Sequence, residues 1–293
     1  MIRIDGSYGE GGGQILRTAV SLAGVFGESI EVYNIRAGRP NPGLRKQHMT
    51  AIRVVSEICN GDVEGLSEGS KTIRFYPGEV RGGNFVFDIG TAGSVSLVIQ
   101  AFLPVVVAHG KECRVVLRGG TDVKWAPPID YIRHVFIPVL EKMGIRVDVD
   151  VRRRGYYPVG GGEVLISVHR CDIHGVSINE KGDMLGVVGF INLSRLSEDV
   201  VRRLKHSISL SMLKYELGDV EFHVERASAL SPGIGAVLVA KYAKTLLGSA
   251  GVGEKGLRAE VLGKNIARSL IEEVNGCGTL DVYMCDQIMP YMA

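Results

Sequence analysis

The chain has 293 residues, 45% hydrophobic and 23% charged, the balance of a soluble globular protein with core enough for one large domain or two ordinary ones. Lys and Arg number 34 against 32 Asp and Glu, a formal net charge of +2. That balance excludes a general polyanion coat and leaves room for a local basic cleft.

Glycine supplies 39 of the 293 residues, about twice its ordinary share of roughly 7%. The glycines sit singly or in pairs between apolar periodic segments, marking tight turns and close backbone approaches. Residues 2–5 read as a strand, and Gly9-Glu10-Gly11-Gly12-Gly13-Gln14 leads from it into a helix over 14–25. A strand over 31–36, a helix over 44–58 and short strands around Val63 and Ile73 follow. The pattern then starts again: Gly93 lies about 81 residues beyond Gly12 and opens a second apolar helix. The second copy comprises 85–89, 94–108, 114–118, 129–143, 146–152 and a weaker segment at Pro158. Arg74-Phe75-Tyr76-Pro77 with Gly82-Gly83 recurs as Gly155-Tyr156-Tyr157-Pro158 with Gly161-Gly162.

A third copy is predicted to start at Glu163-Val164-Leu165-Ile166 and to be interrupted. Residues 178–254 carry a β-α-β-β pattern of their own, with strands at 184–192, 220–226 and 235–241 and a helix over 198–213 capped by Ser197. The second helix of the third copy resumes at Gly256-Leu257-Arg258 and runs to Val274, echoing Gly43-Leu44-Arg45 through Ile58. A strand is expected at 280–282 and the start of a helix at 286–293, where no stop signal follows. The predicted organisation is therefore a large repeat domain, 1–177 plus 255–293, around an inserted α/β domain at 178–254. The third repeat is expected to be incomplete and a carboxy-terminal portion missing.

No basic stretch followed by an apolar run opens the sequence, and the most apolar stretch, 95–108, is too short to span a bilayer. The five cysteines lie singly, with no C-x-x-C pair. A cytoplasmic protein with reduced thiols and no membrane association is the expectation.

Successive glycine amides at a helix start can hold phosphate, because unsatisfied N–H groups and the positive dipole end point outward. Neither a Walker sequence nor a full dinucleotide fingerprint accompanies the run, so a tight turn is the competing reading. Glu10 beside it suits a divalent metal, and Gln14 and Arg17 follow along one helix face. Arg36-Ala37-Gly38-Arg39-Pro40 through Arg45-Lys46-Gln47-His48 is a cationic loop suited to phosphate, or a solvated basic loop. Arg152-Arg153-Arg154 reads as a solvated face or as phosphate contacts to a nucleic-acid strand. Trp125-Ala126-Pro127-Pro128 can form a flat wall for a base, and Tyr283 is a second stacking ring; both could equally be turn or core. The histidines show no triad or metal-ligand spacing.

Taken in order, several motifs resemble the RNA 3′-terminal phosphate cyclase family across essentially the whole chain. They are Asp5-Gly6 with Glu10 to Arg17, Ile35 to Arg39 with Pro42-Gly43-Leu44 and Gln47-His48, Ala92-Gly93-Ser94 with Gln100, Gly119-Gly120-Thr121-Asp122 with Ala126-Pro127-Pro128, and Asp286-Gln287 after Tyr283. The resemblance implies an α/β (α+β) fold: three repeated units, each two helices on a four-stranded sheet, plus a small inserted α/β domain. It implies a ligase-type enzyme with ATP and RNA bearing a 3′-terminal phosphate as partners, Mg²⁺ or Mn²⁺ as cofactor, and leaves a homodimer open. A histidine would take AMP from ATP, AMP would pass to the RNA 3′-phosphate, and the neighbouring 2′-hydroxyl would close the 2′,3′-cyclic phosphate.

Carried over by residue, Tyr283 and Pro128 (or Pro127) would sandwich the adenine. Gln100 with Tyr283, Met284, Cys285, Asp286 and Gln287 would line the ATP site. Gln14, Arg17, Arg36, Arg39 and Gln47 would contact phosphates, and Glu10 would help hold the metal. The family's nucleophilic histidine is expected some tens of residues past the Asp-Gln pair, beyond Ala293, so the chain as it stands is expected to be inactive. Two other readings are a cyclase-like ribosome-biogenesis factor without cyclase activity and a small-molecule transferase of the enolpyruvyl-transferase kind.

Overall fold

The computed structural model describes residues 1–292. The first unit runs β1 (Ile2–Asp5), α1 (Gly13–Phe26), β2 (Ile30–Tyr33), α2 (Lys46–Ile58), β3 (Asp62–Glu64) and β4 (Ile73–Tyr76). Its sheet has the order β1-β2-β4-β3, with β1 parallel to β2 and β4 antiparallel to both of its neighbours.

The second unit repeats this with β5 (Gly83–Asp88), α3 (Val95–Ala108), β6 (Cys113–Gly119), β7 (Val147–Arg153) and β8 (Gly162–Val168). Its second helical stretch is built from α4 (Ile129–Tyr131), a π-helical turn (Ile132–Phe136) and α5 (Ile137–Glu141). The strand order, β5-β6-β8-β7, and the pairing directions are those of the first sheet. The repeat found at 81-residue spacing is thus a β-α-β-α-β-β unit used twice. Glu163 to Ile166, expected to open a third copy, lies in β8, antiparallel between β6 and β7. Nothing in its alternating pattern distinguishes the last strand of one unit from the first of the next.

Leu16, Ala19, Val20 and Ala23 of α1 are buried at helical spacing. α3 is buried on nearly every side, between α1 and α2, which is why it is apolar all round. Among the described residues no helix is long and apolar enough to cross a membrane.

The third sheet belongs to the inserted segment: β9 (Met184–Ser194), α6 (Glu198–Lys214), β10 (Val220–Arg226), β11 (Gly233–Tyr242) and β12 (Leu246–Val252), in the order β10-β9-β11-β12. Ser197 stands at the start of α6, but its side chain makes no capping hydrogen bond. α7 (Ala259–Asn275), predicted to resume the third copy, packs instead on α6 and on β11 and β12. Its Leu262, Ile266 and Leu270 share one apolar cluster with Leu204, Ile208 and Met212 of α6. Hydrophobic spacing alone made α7 resemble α2; it does not say which sheet the apolar face will meet.

Residues 280–282 form no strand. Asp281 caps α8 (Val282–Met292), accepting hydrogen bonds from the Tyr283 and Met284 amides at 3.1 and 3.0 Å. α8 buries Met284 and Ile288 in the core of the two repeated units.

β11 joins the two hydrophobic interiors. Val237 and Val239 belong to the core of the repeated units, while Ala236, Leu238 and Ala240 belong to the cluster under α6 and α7. Gly248 on β12 lets the sheet close on the second unit, because a Cβ there would lie 2.6 Å from Val135 and 2.8 Å from Tyr131.

Candidate active site

The strand-to-helix turn and the basic loop meet. Gly12 caps α1 with no side-chain hydrogen bond, so the first-turn amides stay open, whereas the Ser94 hydroxyl accepts from the Leu97 amide at the start of α3. A Cβ at Gly12 would sit 3.1 Å from the Arg39 guanidinium, and one at Gly13 only 2.4 Å from His48 Nε2. Glycine is what lets these side chains close over the α1 N-terminus.

Charge here is concentrated and only partly neutralised. Burial pulls the Arg17 guanidinium down to about 10, which leaves it cationic at neutral pH, and among the described residues no carboxylate pairs with it. Arg39 donates to Glu10 Oε2 at 3.0 Å, an exposed pair worth little by itself. His48 Nδ1 accepts the Arg45 amide at 3.2 Å, which puts the ring proton on Nε2, toward Gly13. Burial, with Arg36, Arg17 and Arg45 nearby, pulls His48 down to about 4, so it is a neutral donor. Two predicted phosphate contacts also brace the local structure. Arg36 donates to the carbonyls of Asn41 and Gly43 at 2.7 and 2.9 Å, and Gln47 accepts the Ser94 amide at 2.7 Å.

Next to this cradle opens a cleft of about 610 Å³, within the ordinary size of a small-molecule site. Gln14, Arg17 and Thr18 line it from one face of α1, and Gln100 from α3. Pro127 and Pro128 enter from the loop after β6, and Tyr283, Asp286 and Gln287 from α8. Gln100 donates to Gln287 Oε1 at 2.9 Å, and Gln287 donates to the Tyr283 carbonyl at 2.9 Å. The Tyr283 ring stands edge-on to Tyr131, centroids 6.3 Å apart.

Of the residues predicted for a nucleotide, Gln100, Pro128, Tyr283, Asp286 and Gln287 come together. Met284 does not: it is fully buried in the core on the inner face of α8. Cys285 is exposed and lies off the cleft lining. Of the predicted phosphate contacts, Gln14 and Arg17 face the cleft, while Arg36, Arg39 and Gln47 surround the adjoining cradle together with Glu10, the predicted metal holder. Sequence reasoning missed Asn265 and Ser269, which line the cleft from α7. Two polar residues four apart beside Leu262 and Ile266 were the available signal.

Arg154 departs from both readings of the basic run. It is 2% exposed and paired with Asp130 at 2.9 Å, Asp122 at 3.4 Å and Glu225 at 3.1 Å. Asn192 on β9 donates to Asp122 and Asp130 at 3.0 and 2.9 Å. Burial pushes the Asp122 carboxyl up, against the pull of Arg154. The cluster ties the loop that carries the proline wall to β9 and β10 of the inserted unit.

Glu10 brings an exposed carboxylate to the cradle, where it pairs with Arg39. Among the described residues no group of three or more His, Cys, Asp or Glu side chains gathers as an all-protein metal cage. A single carboxylate is compatible with Mg²⁺, whose shell can be completed by water and substrate phosphates.

Residues 8–293 match the family described as RNA 3′-terminal phosphate cyclase. The RNA 3′-terminal phosphate cyclase of Nitrosospira multiformis is 43% identical, the match covering 100% of this chain and 84% of that protein. That of Ignicoccus hospitalis is 44% identical over 100% of this chain and 85% of its own length. That of Saccharolobus solfataricus is 41% identical over 99% and 86%.

Proposed function

The chain belongs to the RNA 3′-terminal phosphate cyclase family, and from that premise we propose that it uses ATP to convert an RNA 3′-terminal phosphate into a 2′,3′-cyclic phosphodiester. The observation that carries the reading is one cleft in which an aromatic and proline wall, a pair of glutamines and an unpaired arginine adjoin a glycine-lined cationic cradle. That combination suits a purine at one end and a polyphosphate at the other.

A phosphate monoester lacks a good leaving group, and adenylation supplies one. A histidine nitrogen bonds the α-phosphorus of ATP and pyrophosphate leaves. An oxygen of the RNA 3′-phosphate then bonds that phosphorus and frees the histidine. Finally the 2′-oxygen, losing its proton, bonds the 3′-phosphorus, and AMP departs. Tyr283 and Pro128 would hold the adenine, with Gln100, Asp286 and Gln287 fixing its edge and sugar. Arg17 and Gln14, with Arg36, Arg39 and Gln47 from the cradle, would hold the phosphates. Neutral His48 would donate a hydrogen bond without adding charge. Glu10 would hold Mg²⁺ or Mn²⁺, which supplies offsetting charge to the phosphate oxygens.

Among the described residues no histidine lines the cleft. α-Labelled ATP and magnesium test the reading. Protein extended to the length of its relatives should carry acid-labile label and, with 3′-phosphorylated RNA, yield a phosphatase-resistant end. Absence of adduct on the extended protein with either metal overturns the reading.

A further inference from the structure

Trp125 is the chain's single tryptophan, and no step above uses it. It precedes the proline wall, lines the cleft and is 87% exposed, which places the indole at the cleft mouth. Its backbone has φ +67, in the left-handed region. A bulky side chain adopts that conformation only where its surroundings impose it, and such positions gather at ligand sites. The Lys124 ammonium lies over the ring, 4.7 Å from the centroid, and donates to Glu254 Oε2 at 2.8 Å. Lys124 thus braces one face of the indole from a tether on the inserted unit, and the other face is open to water.

An open aromatic face beside a cation is how proteins hold unstacked bases of single strands, since every base has a π-face and the cation draws the backbone phosphates. Adenine has its own ring and proline further in, whereas an RNA end must pass the mouth. We propose that Trp125 is the stacking platform for the base of the RNA's terminal nucleotide. This rests on the cyclase reading and adds a contact to the base where the cradle contacts only phosphate.

The single indole makes the test direct. The protein is titrated with a fluorescently labelled single-stranded oligoribonucleotide bearing a 3′-phosphate, and with the same strand made abasic at its terminal nucleotide. Anisotropy reports binding and indole emission reports stacking. The intact strand should quench the indole and bind about tenfold more tightly than the abasic one. Trp125→Ala should abolish that difference with an unchanged far-ultraviolet circular dichroism spectrum, and Trp125→Phe should keep most of it. Equal binding of both strands without quenching overturns the platform and leaves the cyclase reading standing. Equal quenching by ATP alone assigns the ring to adenine and also overturns it. Failure of either strand to bind brings down the cyclase reading with it.

Discussion

The Tyr131 hydroxyl donates to Asp281 Oδ1 at 2.6 Å, across 150 positions of sequence. The same carboxylate accepts the Gly248 amide at 2.9 Å and caps α8 just before Tyr283. A single buried group therefore sets where the second unit, the inserted sheet and the helix carrying Tyr283 meet.

Asp281→Ala should leave the buried Tyr131 hydroxyl and the Gly248 amide unsatisfied and remove the α8 cap. A loss of about 2–4 kcal/mol in urea unfolding is expected. Asp281→Asn, which keeps the acceptor oxygen, should recover part of it. An alanine variant as stable as the parent would show that α8 is positioned some other way.

Acid should destabilise the fold through two histidines. His48 and His134 are both pulled down to about 4, by burial first. Each is neutral when folded and would take up a proton when unfolded. Their contribution is therefore full above the ordinary histidine value of about 6.5 and is lost as pH falls toward 4. Unfolding free energy measured from pH 7.5 to 4.5 should fall across that window. His134→Phe, which keeps the stack on Phe190, should flatten the fall.

Arg154→Met should cost about 3–5 kcal/mol, because Asp122 and Asp130 would stay buried without their cation. Arg154→Lys should rescue little, since a point charge cannot reproduce the fork that reaches three carboxylates. The urea midpoint checks both.

Arg39→Ala removes an exposed ion pair, so stability should change by less than about 1 kcal/mol. Inorganic pyrophosphate, read by calorimetry, should nonetheless bind severalfold more weakly. Gly13→Ala should act more strongly on the same readout, because the new methyl meets His48 Nε2.

The repeat of the first unit in the second and most helix limits were legible because they are written in local periodicity, as is the strand expected at 220–226, which is β10. Gln14 stood out beside a glycine turn and Tyr283 as an aromatic ring, whereas Gln100, in the apolar α3, entered only through the family resemblance; all three line the cleft. What escaped depends on distant partners. In the run 152–154 nothing local marks Arg154 as the buried one, since Asp130, Asp122 and Glu225 lie 24, 32 and 71 positions away. Met284 escaped likewise: a contiguous motif was carried over whole, although on a helix adjacent residues face different ways.

β11 has no spare side. With Val237 and Val239 committed to one interior and Ala236, Leu238 and Ala240 to the other, the inserted segment is no detachable accessory. Excising it would strip a layer from the second unit and take away the packing that holds α7, with Asn265 and Ser269, at the cleft. A minimal version of this protein must therefore keep both parts, since one strand closes both interiors.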